Sequence, residues 1–159
     1  MRVSRHEMNR AIVVASLLGL VSAAQADTSC SDAYWSATNP ASAADCRRLA
    51  ETGDPESEFG YGLLLWSGHD RVNQPKEAVV WLRRAAMHGH VLARVSLGRF
   101  LTDPEAPSEV RDLPEGYAWW VVGGESDAAS KLRSRLNASE LATGEHLAIE
   151  FALKYGRSR

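Results

Sequence analysis

Residues 53–68 read G-D-P-E-S-E-F-G-Y-G-L-L-L-W-S-G, and residues 76–89 read K-E-A-V-V-W-L-R-R-A-A-M-H-G. The pattern returns as G-H-V-L-A-R-V-S-L-G-R-F-L at 89–101 and P-E-G-Y-A-W-W-V-V-G-G at 114–124. Gly89 follows Gly53, and Gly98 follows Gly62, by 36 residues; Trp119 follows Trp81 by 38 because the connecting loop is longer. A period in this range marks stacked helix pairs, none of which can bury its apolar face alone. No window sustains the alternation of a strand. The expected fold is therefore all-α, a short α/α solenoid of helix pairs.

Upstream of the repeat, Arg2, Arg5 and Arg10 precede an apolar run from Ala11 to Val21 and an A-x-A site at Ala24-Gln25-Ala26. This anatomy predicts a secretory signal peptide over residues 1–26, cleaved after Ala26. The run is well short of the ~20 apolar residues that span a bilayer, and no other segment approaches that length, so no membrane span is expected. A periplasmic or secreted protein follows. Without the three leader arginines and Glu7, the formal net charge moves from −2 to −4. An acidic chain with no basic run is poorly suited to nucleic acid. Cys30 and Cys46 both lie beyond the leader, and an even cysteine count in an exported chain points to a disulfide. Closing a loop of about 15 residues, that bond contributes ~3 kcal/mol in the chain-entropy model. Lipidation of Cys30 is rejected because Asp27 stands where that signal wants an apolar residue. Two cysteines alone do not complete a zinc shell.

Residues 27–40 are small and polar and read as an N-terminal arm, leaving 41–155 as the repeat domain. Pro40 heads a helix expected over 41–52, the second helix of a truncated preceding copy. The Cys30–Cys46 bridge would staple the arm onto it and cap the stack. Asp54 and Pro55 open a helix that stops at Gly68. Others are expected from Pro75 to His88 and from Val91 to Thr102. The stretch from Asp103 to Leu113, holding Pro104 and Pro107, reads as a loop. Pro114 begins a helix running to about Gly124, and a charged one spans Asp127 to Leu136. Ser139 with Glu140 caps a last helix ending near Tyr155. Asn137-Ala138-Ser139 matches a glycosylation sequon but reads as helix capping.

The pattern G-x-x-x-(A/S)-x-x-x-(L/Y)-G, followed by A-x-x-W-x-x-x-A-A and a closing glycine, resembles the Sel1-like repeat family. The first copy carries it through Ser57, Tyr61, Gly62, Leu65, Gly68, Ala78, Trp81, Ala85 and Ala86, and the second through Ala93, Leu97 and Gly98. The stretch from Leu132 to Phe151 resembles the closing segment of small bacterial members. The resemblance implies an α/α solenoid related to tetratricopeptide repeats. Gly116, Gly123 and Gly124 depart from it, standing where the first copy has Ala78, Ala85 and Ala86. A helix-interior Gly costs about 1 kcal/mol relative to Ala, so a looser or shorter helix is expected there.

Little in the chain points to chemistry. His88 and His90 form an H-x-H around Gly89, but residues i and i+2 do not face each other on a helix. No acid is evidently attached to either, and no metal is expected. No G-x-S-x-G elbow, phosphate loop or dinucleotide fingerprint appears, so no catalytic residue and no cofactor is assigned. Glu56, Glu58, Glu77 and Glu115 read as solvated helix faces.

By analogy with tetratricopeptide repeats, the resemblance implies that the first helix of each pair lines a concave binding face. The matching positions are Glu56, Phe59, Leu63 and Trp66 in copy one, and Leu92, Val95, Arg99 and Thr102 in copy two. Phe59, Trp66 and Arg99 belong to the types enriched in binding hot spots; the alternative for Phe59 and Trp66 is burial against the helix of 41–52 or the arm. The expected function is a periplasmic protein–protein interaction module, an adaptor or an immunity- or inhibitor-type binder, whose partner is another protein. The alternative is a cell-wall or β-lactam hydrolase. A cysteine-rich branch of the family is linked to β-lactam binding, but that branch carries a cysteine pair in each repeat and this chain does not.

Overall fold

The computed structural model describes Cys30, residues 43–68 and residues 74–156. The leader over 1–26, the arm over 27–40 apart from Cys30, and loop residues 69–73 lie outside the described residues. Over residues 43–156 the described helices are, in order, α1 (Ala43–Ala50), α2 (Pro55–Ser67), α3 (Pro75–Met87), α4 (Val91–Thr102), α5 (Leu113–Val122), α6 (Ser126–Arg133) and α7 (Ala138–Tyr155). Among the described residues there is no strand. The two copies are the pairs α2/α3 and α4/α5. α1 packs on α2, α3 on α4, and both α6 and α7 on α5.

The helices begin where the sequence supplies caps. Asp54 Oδ2 accepts the Ser57 amide at 2.8 Å. Thirty-six residues later, His90 takes the same place, its Nδ1 accepting the Ala93 amide at 3.1 Å. Asp112 caps α5 by accepting from the Glu115 amide at 2.9 Å. At α7 the cap is Asn137, not Ser139: Asn137 and Glu140 each accept the other's backbone amide, both at 2.9 Å. That reciprocal arrangement is a capping box. Gly53, Gly89 and Gly124, each closing the helix before it, have φ of +85°, +97° and +84°, which a residue with a Cβ adopts only at a cost.

The repeat spacing is enforced by close packing. A Cβ on Gly62 would come within 2.8 Å of Leu82, and one on Gly98 within 2.6 Å of Trp120. These are the same register in successive copies, so each glycine admits the residue after the repeat tryptophan. Gly116 has an equally direct reason: a Cβ there would collide with the Thr102 methyl, so the glycine lets α5 lie against α4. The expected shortening of that helix is seen. α5 has 10 residues against 13 in α3, because Gly124 ends it early.

Cys30 and Cys46 form the disulfide, with Cα atoms 5.5 Å apart. Both are fully buried with Tyr61, Leu64, Leu65 and Trp81, so the bridge is part of the apolar cluster at the front of the stack. The larger cluster runs through Phe59, Leu63, Leu82, Leu97, Phe100 and Trp119. Phe151 stacks on Trp119 at 4.4 Å, which seats α7 against the back of that cluster.

Candidate binding face

The eight positions assigned to the inner face do not share one environment. On α2, Glu56 is exposed, Phe59 and Leu63 are buried, and Trp66 is half-buried. Phe59 stacks on His90 with ring centres 4.3 Å apart, and Trp66 lies flat on Phe100 at 4.0 Å and 3°. Phe59 and Leu63 are thus core residues rather than a free surface, and Phe59 is covered by the N-cap of α4. Trp66 packs on Phe100 and also against the front cluster that holds Cys30, Cys46 and Ala50, and keeps part of its ring in solvent. On α4, Leu92 is 60% exposed and Arg99 is exposed. Val95 is half-buried towards Gly123, and half-buried Thr102 returns its hydroxyl to the Gly98 carbonyl at 2.7 Å. What α2 and α4 leave open is therefore Leu92, Arg99, the edges of Val95 and Thr102, and one side of Trp66.

Beneath this face lie charges that the sequence reading put in solvent. Glu58 is completely buried. Its Oε2 meets His88 Nδ1 at 2.7 Å, and Arg84 Nη2 lies 3.0 Å from Oε1, out of line for a hydrogen bond, so that oxygen is held by charge alone. Arg84 in turn sits over the Trp81 ring at 4.3 Å. The same repeat position in copy two is Arg94, also buried, which donates to the carbonyls of Ala86 and Tyr155. Burial lowers the Arg94 guanidinium pKa, yet it stays charged at any physiological pH. It ties the end of α7 to α3, where the partial negative charge of a helix C-terminus favours a cation.

Glu77 and Glu115 are not free either. Each accepts the indole N–H of the tryptophan four residues on, Trp81 at 3.2 Å and Trp119 at 3.0 Å. Glu115 also accepts from Nε and Nη2 of Arg83, both at 2.6 Å, locking α3 to α5 and raising the Arg83 pKa. The histidines of the H-x-H separate: His88 turns to Glu58, and His90 Nε2 turns to Glu56 at 2.9 Å. Both therefore have an acid attached, contrary to the sequence reading. Among the described residues, no group of three His, Cys, Asp or Glu could hold a metal ion. The one regularity in the sequence that links the two buried charges is that Glu58 and Arg94 are 36 residues apart and so share a repeat position.

Helix pairs in register, closed by left-handed glycines and stacked through small residues, define an α/α solenoid. Its fold is that of Sel1-like repeat (SLR) proteins. It is similar to the crystal structure of c5321, a protective antigen present in uropathogenic Escherichia coli strains and displaying an SLR fold, with a TM-score of 0.62 and 23% sequence identity. The match covers 72% of this chain and 26% of that one, so the chain spans about a quarter of the antigen's length. No family model matches the sequence, and no curated protein does. None of the described helices is long and apolar enough to cross a membrane.

Proposed function

We propose that this chain is a protein-binding module of the bacterial envelope, an adaptor or an immunity- or inhibitor-type binder, that holds its partner on the open side of α4 and the adjoining edge of Trp66. The observation that carries this reading is the state of the α4 stripe. Arg99 projects into solvent at the repeat position where α2 buries Leu63, and Leu92, like its counterpart Glu56, is exposed. An exposed leucine and an exposed arginine beside a half-open indole offer the apolar centre and charged edge that protein interfaces use. Support for an envelope location comes from the leader anatomy and from the buried disulfide, which persists in oxidising compartments.

The test is partner capture from envelope extracts by the purified protein and by a Leu92→Ser/Arg99→Glu variant. Both side chains are exposed, so helical content and melting temperature should hold while the captured band is lost. Retention of the same band by the variant would contradict the reading. Trp66 is a poorer probe, since removing it also strips the cover from Phe100. No turnover of a β-lactam or of peptidoglycan fragments by the purified protein is expected; turnover would favour the hydrolase alternative.

A further inference from the structure

Most arginines in the described chain are occupied. Arg47, Arg48, Arg83, Arg84 and Arg133 each meet a carboxylate, and Arg94 is used up on backbone carbonyls. The other three, Arg99, Arg111 and Arg135, form no ion pair among the described residues, and Arg111 makes one long bond, to the Pro104 carbonyl at 3.5 Å. They are gathered in one region. Arg111 and Arg135 line a cavity of about 320 Å³ together with Thr102, Pro104, Ser108 and Leu113, and Arg99 lies one turn before Thr102 on α4. No acid is among these lining residues. The lining itself thus holds two guanidiniums and no carboxylate, while Asp103, Glu105, Glu109 and Asp112 stand on the same loop outside it.

The cavity is also built on fixed backbone. Buried Ala106 and Val110 anchor the loop carrying Ser108 and Arg111, while the Val110 amide bonds the Pro107 carbonyl at 2.9 Å and the Asp112 amide the Leu101 carbonyl at 3.0 Å. Arg135 is placed by its own amide on the carbonyl of buried Leu132 at 2.8 Å. The half-buried Leu113 side chain gives one wall that offers an anion's oxygens nothing. Guanidinium forks match the two oxygens of a carboxylate better than an ammonium does. The size is at the lower end of ligand pockets, roughly 300 Å³ and upward.

We propose that this cavity is an oxyanion site that takes the carboxylate of an acidic segment of the partner protein. Arg111 and Arg135 grip the two oxygens, and Ser108, whose hydroxyl has no bond within the described chain, supplies a further donor. This inference rests on the binding-module reading and names the partner's chemistry, since Arg99 and Thr102 lead from the open stripe of α4 directly to the cavity.

The experiment is an NMR titration of the arginine-labelled protein with acetyl-tetraglutamate amide, read at the Nε–H signals. Saturable shifts confined to Arg111 and Arg135, with Arg99 at the margin, are expected. Arg135→Gln should weaken binding roughly tenfold, whereas Arg133→Gln, which removes a paired arginine two residues away, should leave it unchanged. Non-saturating drift of all exposed arginines, or equal weakening by Arg133→Gln, would overturn the site. Inorganic phosphate shifting the same two signals where tetraglutamate does not would overturn the acidic-segment assignment. A negative titration alongside partner capture that still depends on Leu92 and Arg99 would sink this inference alone and leave the binding-module reading standing.

Discussion

Phe59 and Leu63 on α2 stand 36 residues before Val95 and Arg99 on α4. The first two are sealed in the core, while Val95 is half-buried and Arg99 exposed. The stripes have the same register and the same helical spacing, so periodicity cannot account for the difference. The cover does. α4 places His90 over Phe59 and Phe100 under Trp66, whereas the next first helix, α6, has only eight residues and packs on α5. In a short solenoid each stripe is closed by the helix that follows, and the last full-length one stays open. The residue types agree with this, since Phe, Leu and Trp in copy one give way to Val, Arg and Thr in copy two.

The largest expected effect breaks or upholds that contrast directly. Leu63→Ala should cost about 3 kcal/mol in urea denaturation, as truncation of a buried leucine does. Arg99→Ala at the equivalent position should stay within about 0.5 kcal/mol. Comparable costs would mean that the two stripes are not differently covered.

A second contrast concerns the buried charges. Glu58→Ala should destabilise by about 2–3 kcal/mol, because it strands Arg84 and His88 against an empty buried site. The figure sits towards the low end for a broken buried pair because Arg84 and His88 both reach solvent. A change below about 0.5 kcal/mol would show that Glu58 is not held as described. The accompanying role of Arg94 is sharpened by the same assay, since its loss should loosen the end of α7 while leaving α2 and α3 intact.

The smallest effect concerns the cap of α2, Asp54, whose place in copy two is taken by His90. Asp54→Ala should cost about 1 kcal/mol at neutral pH. Hydrogen bonds from the Ser57 hydroxyl and amide hold the Asp54 carboxyl below the usual carboxylate range. The unfolded chain therefore takes up the proton first as pH falls. The cap contributes fully above about pH 4 and loses its contribution as the pH drops below that, through the lowered folded value. The gap between wild type and Asp54→Ala should accordingly close on acidification; a gap unchanged at pH 2 would assign the loss to something other than the ionised cap.

Much of the architecture was legible because it repeats. Gly53 and Gly89, Gly62 and Gly98, and Trp81 and Trp119 expose the helix pairs through spacing alone, and the cysteine pair announces the disulfide. The α4 boundaries, Val91 to Thr102, match expectation because Gly89 and Asp103–Pro104 bracket them. The binding face was legible only in part. Periodicity assigns Phe59, Leu63, Val95 and Arg99 to one stripe, but which stripe is covered depends on how α4 and α6 lie, and helix length decides that. The inter-helix charges were illegible for a related reason. Arg83 and Glu115 are 32 residues apart, and Arg94 and Tyr155 are 61 apart, so nothing local links them. Glu58 in a first turn looks like any solvated acid until α3 brings Arg84 and His88 to it.

The claim that an open α4 stripe is the partner's seat is tested most directly by site-specific photo-cross-linking in envelope extracts. The photoreactive side chain is placed in turn at Leu92, Arg99 and Val80, the last being an exposed position on α3 away from the stripe. Adducts to one and the same protein from positions 92 and 99, with none from position 80, are predicted. No adduct from 92 and 99, or an equal one from 80, would contradict it.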